Sequence, residues 1–397
     1  MPRIEAKSES ATDRNAGGKR TRVLIVAASL DILGGQAVQA ARLLESLQAE
    51  ASLNVSFLPI NPRLPGFLSK LQNIKYVRTV VTSLAYIALL LRRSHSFDVI
   101  HVYSASYFSF VLAPTPAILI AKLYGKKAIL NYHSGEAADH LARWRRTALP
   151  VMRLADCIVV PSQYLVKVFA EFGLQAQAIF NTVETNDFRF RERSFPRPVF
   201  LANRNLEALY NVALVLRAFH LIQERSPESR LIVAGDGSER ARLEALAAEL
   251  NLRNVEFTGR VSPAQMPALY DAADIYLNGS DIDNMPLSIL EAFAAGVPVI
   301  TTNAGGIPYI VENNETGLLV ERGDAEKMAA CAIRLLEENG LAQRLTKAAH
   351  AECRKYSWDT VREEWLKLYH QLNARASSVL SIEQNELPKD AQMETRV

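Results

Sequence analysis

The chain has 397 residues, 49% of them hydrophobic and 22% charged, with a formal net charge of +3. That length suits two domains, the composition is ordinary for a globular protein, and so small a charge gives no argument for a nucleic-acid partner. Cys157, Cys331 and Cys353 lie far apart without ligand spacing, so they read as thiols of a reducing, cytoplasmic compartment and not as a disulfide framework or a zinc site.

Residues 1–20 are polar, end on Gly17-Gly18-Lys19-Arg20 and read as a disordered leader with no secretory signal. Beyond them, apolar runs rich in Val and Ile lie at 23–28, 55–60, 99–103, 128–132, 158–161 and 178–180. They lack polar alternation and are bounded by turn residues, the pattern of strands buried on both faces of a parallel sheet. Gly34-Gly35 follows the first run and opens a helix whose Val38, Ala41, Leu44 and Leu47 share a face. Such a glycine pair is either a tight turn or a point where phosphate approaches the helix amides. The longest apolar run, 80–91, falls short of the ~20 residues that a membrane-spanning helix needs. The next, 107–121, is broken by Pro114 and Pro116. Arg92, Arg93, Lys122, Lys126, Lys127, Arg143, Arg145 and Arg146 lie near these runs. They form either a solvated face over a core helix or a patch that docks peripherally on the inner membrane face. His133 follows the run at 128–132 and is either a structural imidazole or a group that hydrogen-bonds a substrate.

Residues 188–198 are charged, hold Pro196 and Pro198, and lack helical periodicity, so they are expected to link two domains. A second series of runs follows at 199–202, 231–234, 255–258, 275–277, 298–301 and 318–320, again with helical segments between them, such as the one carrying Leu243, Leu246, Ala247 and Leu250. The predicted fold is therefore α/β, with two Rossmann-like, doubly wound parallel sheets facing across a cleft at the carboxyl ends of their strands. The first domain is expected over 21–187, the second over 199–357, a further helix over 358–375 and a polar tail over 376–397.

Several residues of the second series point at that cleft. Arg204 follows its first strand and is either a surface arginine or a planar clamp for a diphosphate. Gly235-Asp236-Gly237 follows the next strand, either as a plain turn or as a loop lining a nucleotide pocket. Asp283 and Glu291 are separated by seven residues, with a Met-Pro turn between them and a helix stop at Gly296-Val297-Pro298. They read as a paired acid and base, as hydroxyl-binding carboxylates or as solvated loop charges. The helix after Met285 would aim its free amides at the same ligand.

Taken together, Val233-Ala234-Gly235-Asp236-Gly237, Phe257-Thr258-Gly259, the Asp283 to Glu291 block, Gly296-Val297-Pro298-Val299 and Gly305-Gly306-Ile307-Pro308 resemble the retaining glycosyltransferases of family 4, which have the two-domain GT-B fold. The resemblance covers about residues 23–369. It implies transfer of a sugar from a UDP- or GDP-type nucleotide-diphosphate sugar to a glycan, lipid-linked or small-molecule acceptor, with no metal and no resident cofactor. It implies that Glu291 holds the ribose hydroxyls and Asp283 those of the transferred sugar, assisted by the Asn284-Met285-Pro286-Leu287 backbone. Gly35 would meet the diphosphate or the sugar, His133 the sugar and Arg204 the diphosphate. Arg260 and Val261 would border the base, and the helix at 358–375 would cross back to the first domain.

Three positions depart from the family pattern. Asp283 stands where a glutamate is usual, Tyr210-Asn211 where a phosphate-binding lysine is usual, and Tyr309 where a glutamate is usual. Two other readings remain open beside the active transferase: a GT-B protein with weakened turnover that binds within a glycan-assembly complex, and a nucleotide-sugar epimerase.

Overall fold

The computed structural model describes residues 20–29, 35–66, 68–104 and 106–385. Gly34, nearly all of the expected leader and the last part of the expected tail lie outside the described residues. Every expected run forms a strand: β1 Thr21–Ala27, β2 Leu53–Pro59, β3 Val99–Tyr103, β4 Lys127–Asn131, β5 Cys157–Val160 and β6 Gln177–Ala178, then β7 Val199–Ala202, β8 Arg230–Ala234, β9 Val255–Gly259, β10 Ile275–Asn278, β11 Val299–Thr302 and β12 Leu318–Val320. They build two six-stranded sheets, β2-β1-β3-β4-β5-β6 and β12-β11-β10-β7-β8-β9. The pairings in both sheets are parallel, which explains the absence of polar alternation in the runs. Val23 to Val26 are wholly buried, each worth about 2 kcal/mol in apolar transfer.

In each sheet the order reverses at one place, between β1 and β3 in the first and between β7 and β10 in the second. Loops leaving the carboxyl ends at such a switch point splay apart and leave a crevice where ligands bind. Both crevices face the same interdomain cleft, and the loops of the two domains touch there. A Cβ added to Gly135, after β4, would lie 3.2 Å from Ile282 Cγ2 in the loop after β10.

Several local expectations need correction. The helix Gly35–Gln48 buries Ala37, Ala40, Leu43, Leu44 and Leu47 together with Gln39, while Val38 and Ala41 are only half-buried. Packing against the sheet and against Thr182 turned its inner face by about one residue from the expected stripe. Residues 107–121 split into helices Tyr107–Leu112 and Pro114–Leu123. Pro114 opens the second, where its missing N–H removes no helical hydrogen bond. The last helix, Trp358–Asn385, runs past 375, because the polar residues there are compatible with helix. Val361, Trp365, Leu368, Tyr369 and Leu372 pack it onto the first sheet. The linker is anchored, not loose: Phe188 enters the second domain's core and the Arg193 side chain is fully buried. Among the described residues, no helix is long and apolar enough to cross a membrane.

Candidate functional site

The second domain builds one wall of the cleft from the loops after β7 and β10. Arg204 follows β7, and its guanidinium donates to Asp283 Oδ2 at 2.5 Å and to Ser288 Oγ at 3.3 Å. It also stacks on Tyr210, 4.1 Å from the ring centroid. Burial works against the arginine charge, but Asp283 more than reverses that, so the Arg204 pKa is raised. Asp283 is itself fully engaged, its Oδ1 accepting the Asn284 amide at 2.9 Å and its Oδ2 also lying 3.4 Å from the Ser280 hydroxyl. The shorter acid thus curls back on its own loop and on Arg204.

Two glycine pairs hold this wall. A Cβ on Gly235 would lie 2.2 Å from the Arg204 carbonyl oxygen, and one on Gly305 would lie 2.2 Å from that of Asp283. Both distances are far below van der Waals contact, so glycine is what lets these loops seat the Arg204–Asp283 pair.

Glu291 lies on the helix Leu287–Ala294 and is only 8% exposed. The Tyr270 hydroxyl accepts from Asn203 Nδ2 at 2.7 Å and lies 3.1 Å from Glu291 Oε2 and 2.8 Å from the Ser288 carbonyl oxygen, donating between them. Burial raises the Glu291 pKa, and Arg42 and Tyr270 only partly offset it. No side chain caps the start of this helix, which leaves amides of its first turn for a ligand.

The first domain supplies the facing wall. Gly35 opens its helix at the surface, and an added Cβ would meet nothing within 4 Å. Arg42 reaches across from the same helix to 3.9 Å from Glu291 Oε1. The His133 ring stacks on Tyr103 at 5.1 Å, and Tyr103 stacks on His101 at 5.3 Å, with Trp365 and Tyr369 of the last helix beyond. Burial lowers the His133 pKa to about 4, so the ring is neutral at pH 7. A cavity of about 690 Å³ opens beside these groups, between Tyr107, Glu136 and Asp139 on one side and Asp281, Ile282 and Gly305 on the other.

Buried polar atoms usually find a partner, and one left over marks a ligand, a water or strain. His133 Nε2, Asn203 Oδ1, Arg204 Nε and Asn284 Nδ2 are all buried without one among the described residues. All four belong to loops that meet at the cleft.

Residues 184–352 match the family "Glycosyl transferases group 1" and residues 33–187 match "Glycosyltransferase Family 4". The two matches abut and cover both domains. The chain belongs to this glycosyltransferase family. A sulfoquinovosyl transferase of Arabidopsis thaliana is 27% identical over 284 residues, 66% of this chain and 54% of that protein. A D-inositol 3-phosphate glycosyltransferase of Corynebacterium jeikeium is 33% identical over 175 residues, 42% of each chain. The matched part therefore spans about half the length of these relatives. Among solved structures, a sucrose-phosphate synthase of Thermosynechococcus elongatus has TM-score 0.73 at 20% identity, covering 90% of this chain and all of that one. Anabaena HepE in complex with UDP has TM-score 0.67 at 17% identity, covering 91% and 100%. The likeness to both is one of fold, the GT-B pair of Rossmann-like domains.

In this family member, Arg204, Asp283 and Asn284 form one hydrogen-bonded set and Glu291 lies beside it through Tyr270 and Ser288, while His133 and Gly35 follow β4 and β1 of the facing domain. Met285 and Pro286 are buried beneath, the Met285 carbonyl accepting from Asn181 of the other wall at 3.4 Å, and Leu287 begins the helix. Gly235 seats Arg204 by close packing. Arg260 is exposed and ion-paired to Asp236 at 3.3 Å, and Val261 packs against the second domain's core. Arg42, Tyr270 and Ser288 were missed from sequence. A signal existed for Arg42, since Gln39 and Arg42 are polar and three apart on the sheet-facing side of an apolar helix; Tyr270 and Ser288 carried none. Among the described residues, no group of three His, Cys, Asp or Glu side chains could hold a metal ion.

The buried imidazoles predict a pH dependence. Burial lowers His101 to about 3 and His140 to about 4, against about 6.5 in an unfolded chain. The unfolded state therefore binds more protons between about pH 4 and 6.5, and stability falls as pH drops through that window, by roughly 1.4 kcal/mol per unit per histidine. Thermal melts should show Tm flat with respect to these groups above pH 7 and falling below 6.5. His140→Phe should flatten the slope, and an unchanged slope would remove His140 from the effect.

Proposed function

We propose that the chain is a retaining glycosyltransferase that moves a sugar from a nucleotide-diphosphate sugar of the UDP or GDP type to a hydroxyl acceptor. The observation that carries this reading is the set of unpartnered buried polar atoms, His133 Nε2, Arg204 Nε, Asn203 Oδ1 and Asn284 Nδ2, from both walls of one cleft. Glu291 would take the ribose hydroxyls, its raised pKa being relieved by those hydrogen bonds and by Arg42. Arg204 would grip the diphosphate through donors not committed to Asp283, and neutral His133 would hydrogen-bond the transferred sugar.

In the retaining step, the bond from the sugar C1 to the leaving phosphate oxygen breaks while the acceptor oxygen bonds C1 on the same face. The acceptor proton passes to that phosphate oxygen. Both Asp283 oxygens are already engaged, which supports a role in positioning Arg204 and the sugar over one as general base. Charge building on the departing phosphate is what Arg204 and the free amides of the 287–294 helix would stabilise. Anabaena HepE, alike in fold, holds UDP, which supports a nucleotide-sugar donor.

The test is a panel of UDP- and GDP-sugars with glycan, lipid-linked and small-molecule acceptors, followed by nucleotide release and product anomer. One donor should turn over with retention, and Glu291→Ala should weaken its binding roughly 100-fold, since two hydrogen bonds to a charged group are lost. Unchanged affinity in that variant removes Glu291 from the donor site. Tight donor binding without release with any acceptor would favour a binding protein, and an epimerised donor would favour an epimerase.

A further inference from the structure

Helix Val77–Arg93 packs against helix Pro114–Leu123 and is apolar on its outer face as well as its inner one. Tyr86 and Leu90 face inward, wholly buried, and the Tyr86 hydroxyl donates to the Ala113 carbonyl at 2.9 Å. The opposite face, expected to be polar, carries Val77, Val80, Leu84 and Leu91, spaced so that they share an arc of about 60°. Val80 and Leu84 are 60% and 63% exposed. Tyr76, just before the helix, is 76% exposed, and Leu123 of the neighbouring helix is 72% exposed. The Tyr124 hydroxyl donates to the Leu91 carbonyl at 3.0 Å, which ties the end of this helix to the segment that carries Leu123.

Charge around this surface is segregated. Between Glu50 and Glu136 the sequence holds nine Lys or Arg residues and one acid, Asp98. That acid is paired to Arg22 at 2.7 Å, and Lys122 and Lys127 are paired to Asp156, beyond that stretch, which leaves seven cations in the count. Lys75, Arg78 and Arg92 are exposed along the stripe. A whole-chain charge of +3 thus conceals a strongly cationic region on an apolar face. An anionic bilayer matches both features, since hydrocarbon takes the stripe and headgroups take the flanking cations.

We propose that the outer face of helix Val77–Arg93, with the neighbouring Leu123, docks the protein peripherally on an anionic lipid surface. The placement fits the cleft. The helix lies on the way from the carboxyl end of β2 to the amino end of β3, so its Tyr76 end lies toward the cleft edge of the first sheet. Docking there brings the cleft mouth to the bilayer, where an acceptor anchored in lipid is within reach. The inference does not depend on the chemistry of the cleft.

The test is co-sedimentation of the full chain with vesicles of phosphatidylcholine containing phosphatidylglycerol, against phosphatidylcholine alone, at low and high salt. Binding should require phosphatidylglycerol and fall steeply with salt. Val80→Asp with Leu84→Asp should weaken it at least about tenfold, and Lys75→Glu with Arg78→Glu and Arg92→Glu should abolish the preference for anionic lipid. Both variants should keep the wild-type Tm and UDP affinity, which separates a lost surface from a lost fold or donor site. Failure of the wild type to sediment, or equal binding to both vesicles, overturns the proposal. So does a wild-type dimer that the Val80→Asp, Leu84→Asp variant dissociates while neither form binds vesicles, which would assign the face to a second copy of this chain.

Discussion

Replacing Arg204 with alanine is expected to lower kcat/KM for transfer about 10³-fold, the largest effect of any single change in the cleft. Removing one preorganised donor from a developing anion costs roughly 10²–10³ in rate, and in the proposed role Arg204 would add ground-state attraction to the diphosphate. Tyr210-Asn211 stands where the family resemblance leads one to expect a lysine, and the Tyr210 ring carries the Arg204 guanidinium, so in the proposed role the charge is concentrated on one residue. The change also leaves Asp283 without its cation at 2.5 Å. Arg204→Lys separates these effects. A lysine keeps the charge but loses the planar fork and the stacked guanidinium, so it should recover only part of the activity. Transfer rates with the donor from the panel, measured for both variants beside their Tm, decide the matter. If Arg204→Ala keeps wild-type kcat/KM, the cleft is not the transfer site.

Arg193→Ala is expected to lower stability by about 3–5 kcal/mol, the usual cost of leaving buried charge and polar groups unpaired. The guanidinium, with none of its side chain exposed, donates to the carbonyl oxygens of Tyr270 at 2.7 Å, Ala295 at 2.7 Å, Gly296 at 2.8 Å and Ala273 at 2.8 Å, and lies 3.5 Å from Asp274. Burial lowers its pKa to about 10, a cost that those acceptors offset. For a domain of this size the loss corresponds to a fall in Tm of about 10 °C. A shift below about 2 °C would show that the arginine is dispensable. The same cluster predicts acid sensitivity. Burial alone would raise the Asp274 pKa, but hydrogen bonds from Arg197 and Arg191 lower it to about 2. Its contribution is therefore present above about pH 4 and lost as pH falls toward 2. Tyr270, whose carbonyl accepts from Arg193, also meets Glu291, so the linker arginine steadies the Glu291 wall of the cleft.

What the sequence determined by itself was everything that repeats at short range. Runs such as Val23 to Val26 have no polar alternation because both faces of a parallel strand are covered, and that pattern is local. The turn and glycine signals between runs placed the second-series loops, and the order of Gly235-Asp236-Gly237, Asp283, Glu291 and Gly305-Gly306 marked the family. Tertiary structure decided which of these groups meet. Arg204 and Asp283 are 79 residues apart and Arg42 and Glu291 lie in different domains, so no local period encodes either contact. Burial is likewise a property of the neighbours: Arg193 sits in a charged, proline-bearing stretch that reads as a loose linker, yet five carbonyl groups close around it. The apolar run at 80–91 shows the converse. Its composition suggested a core helix, but only the packed fold reveals that Val80, Leu84 and Leu91 point away from the core, because helix Pro114–Leu123 covers one face alone.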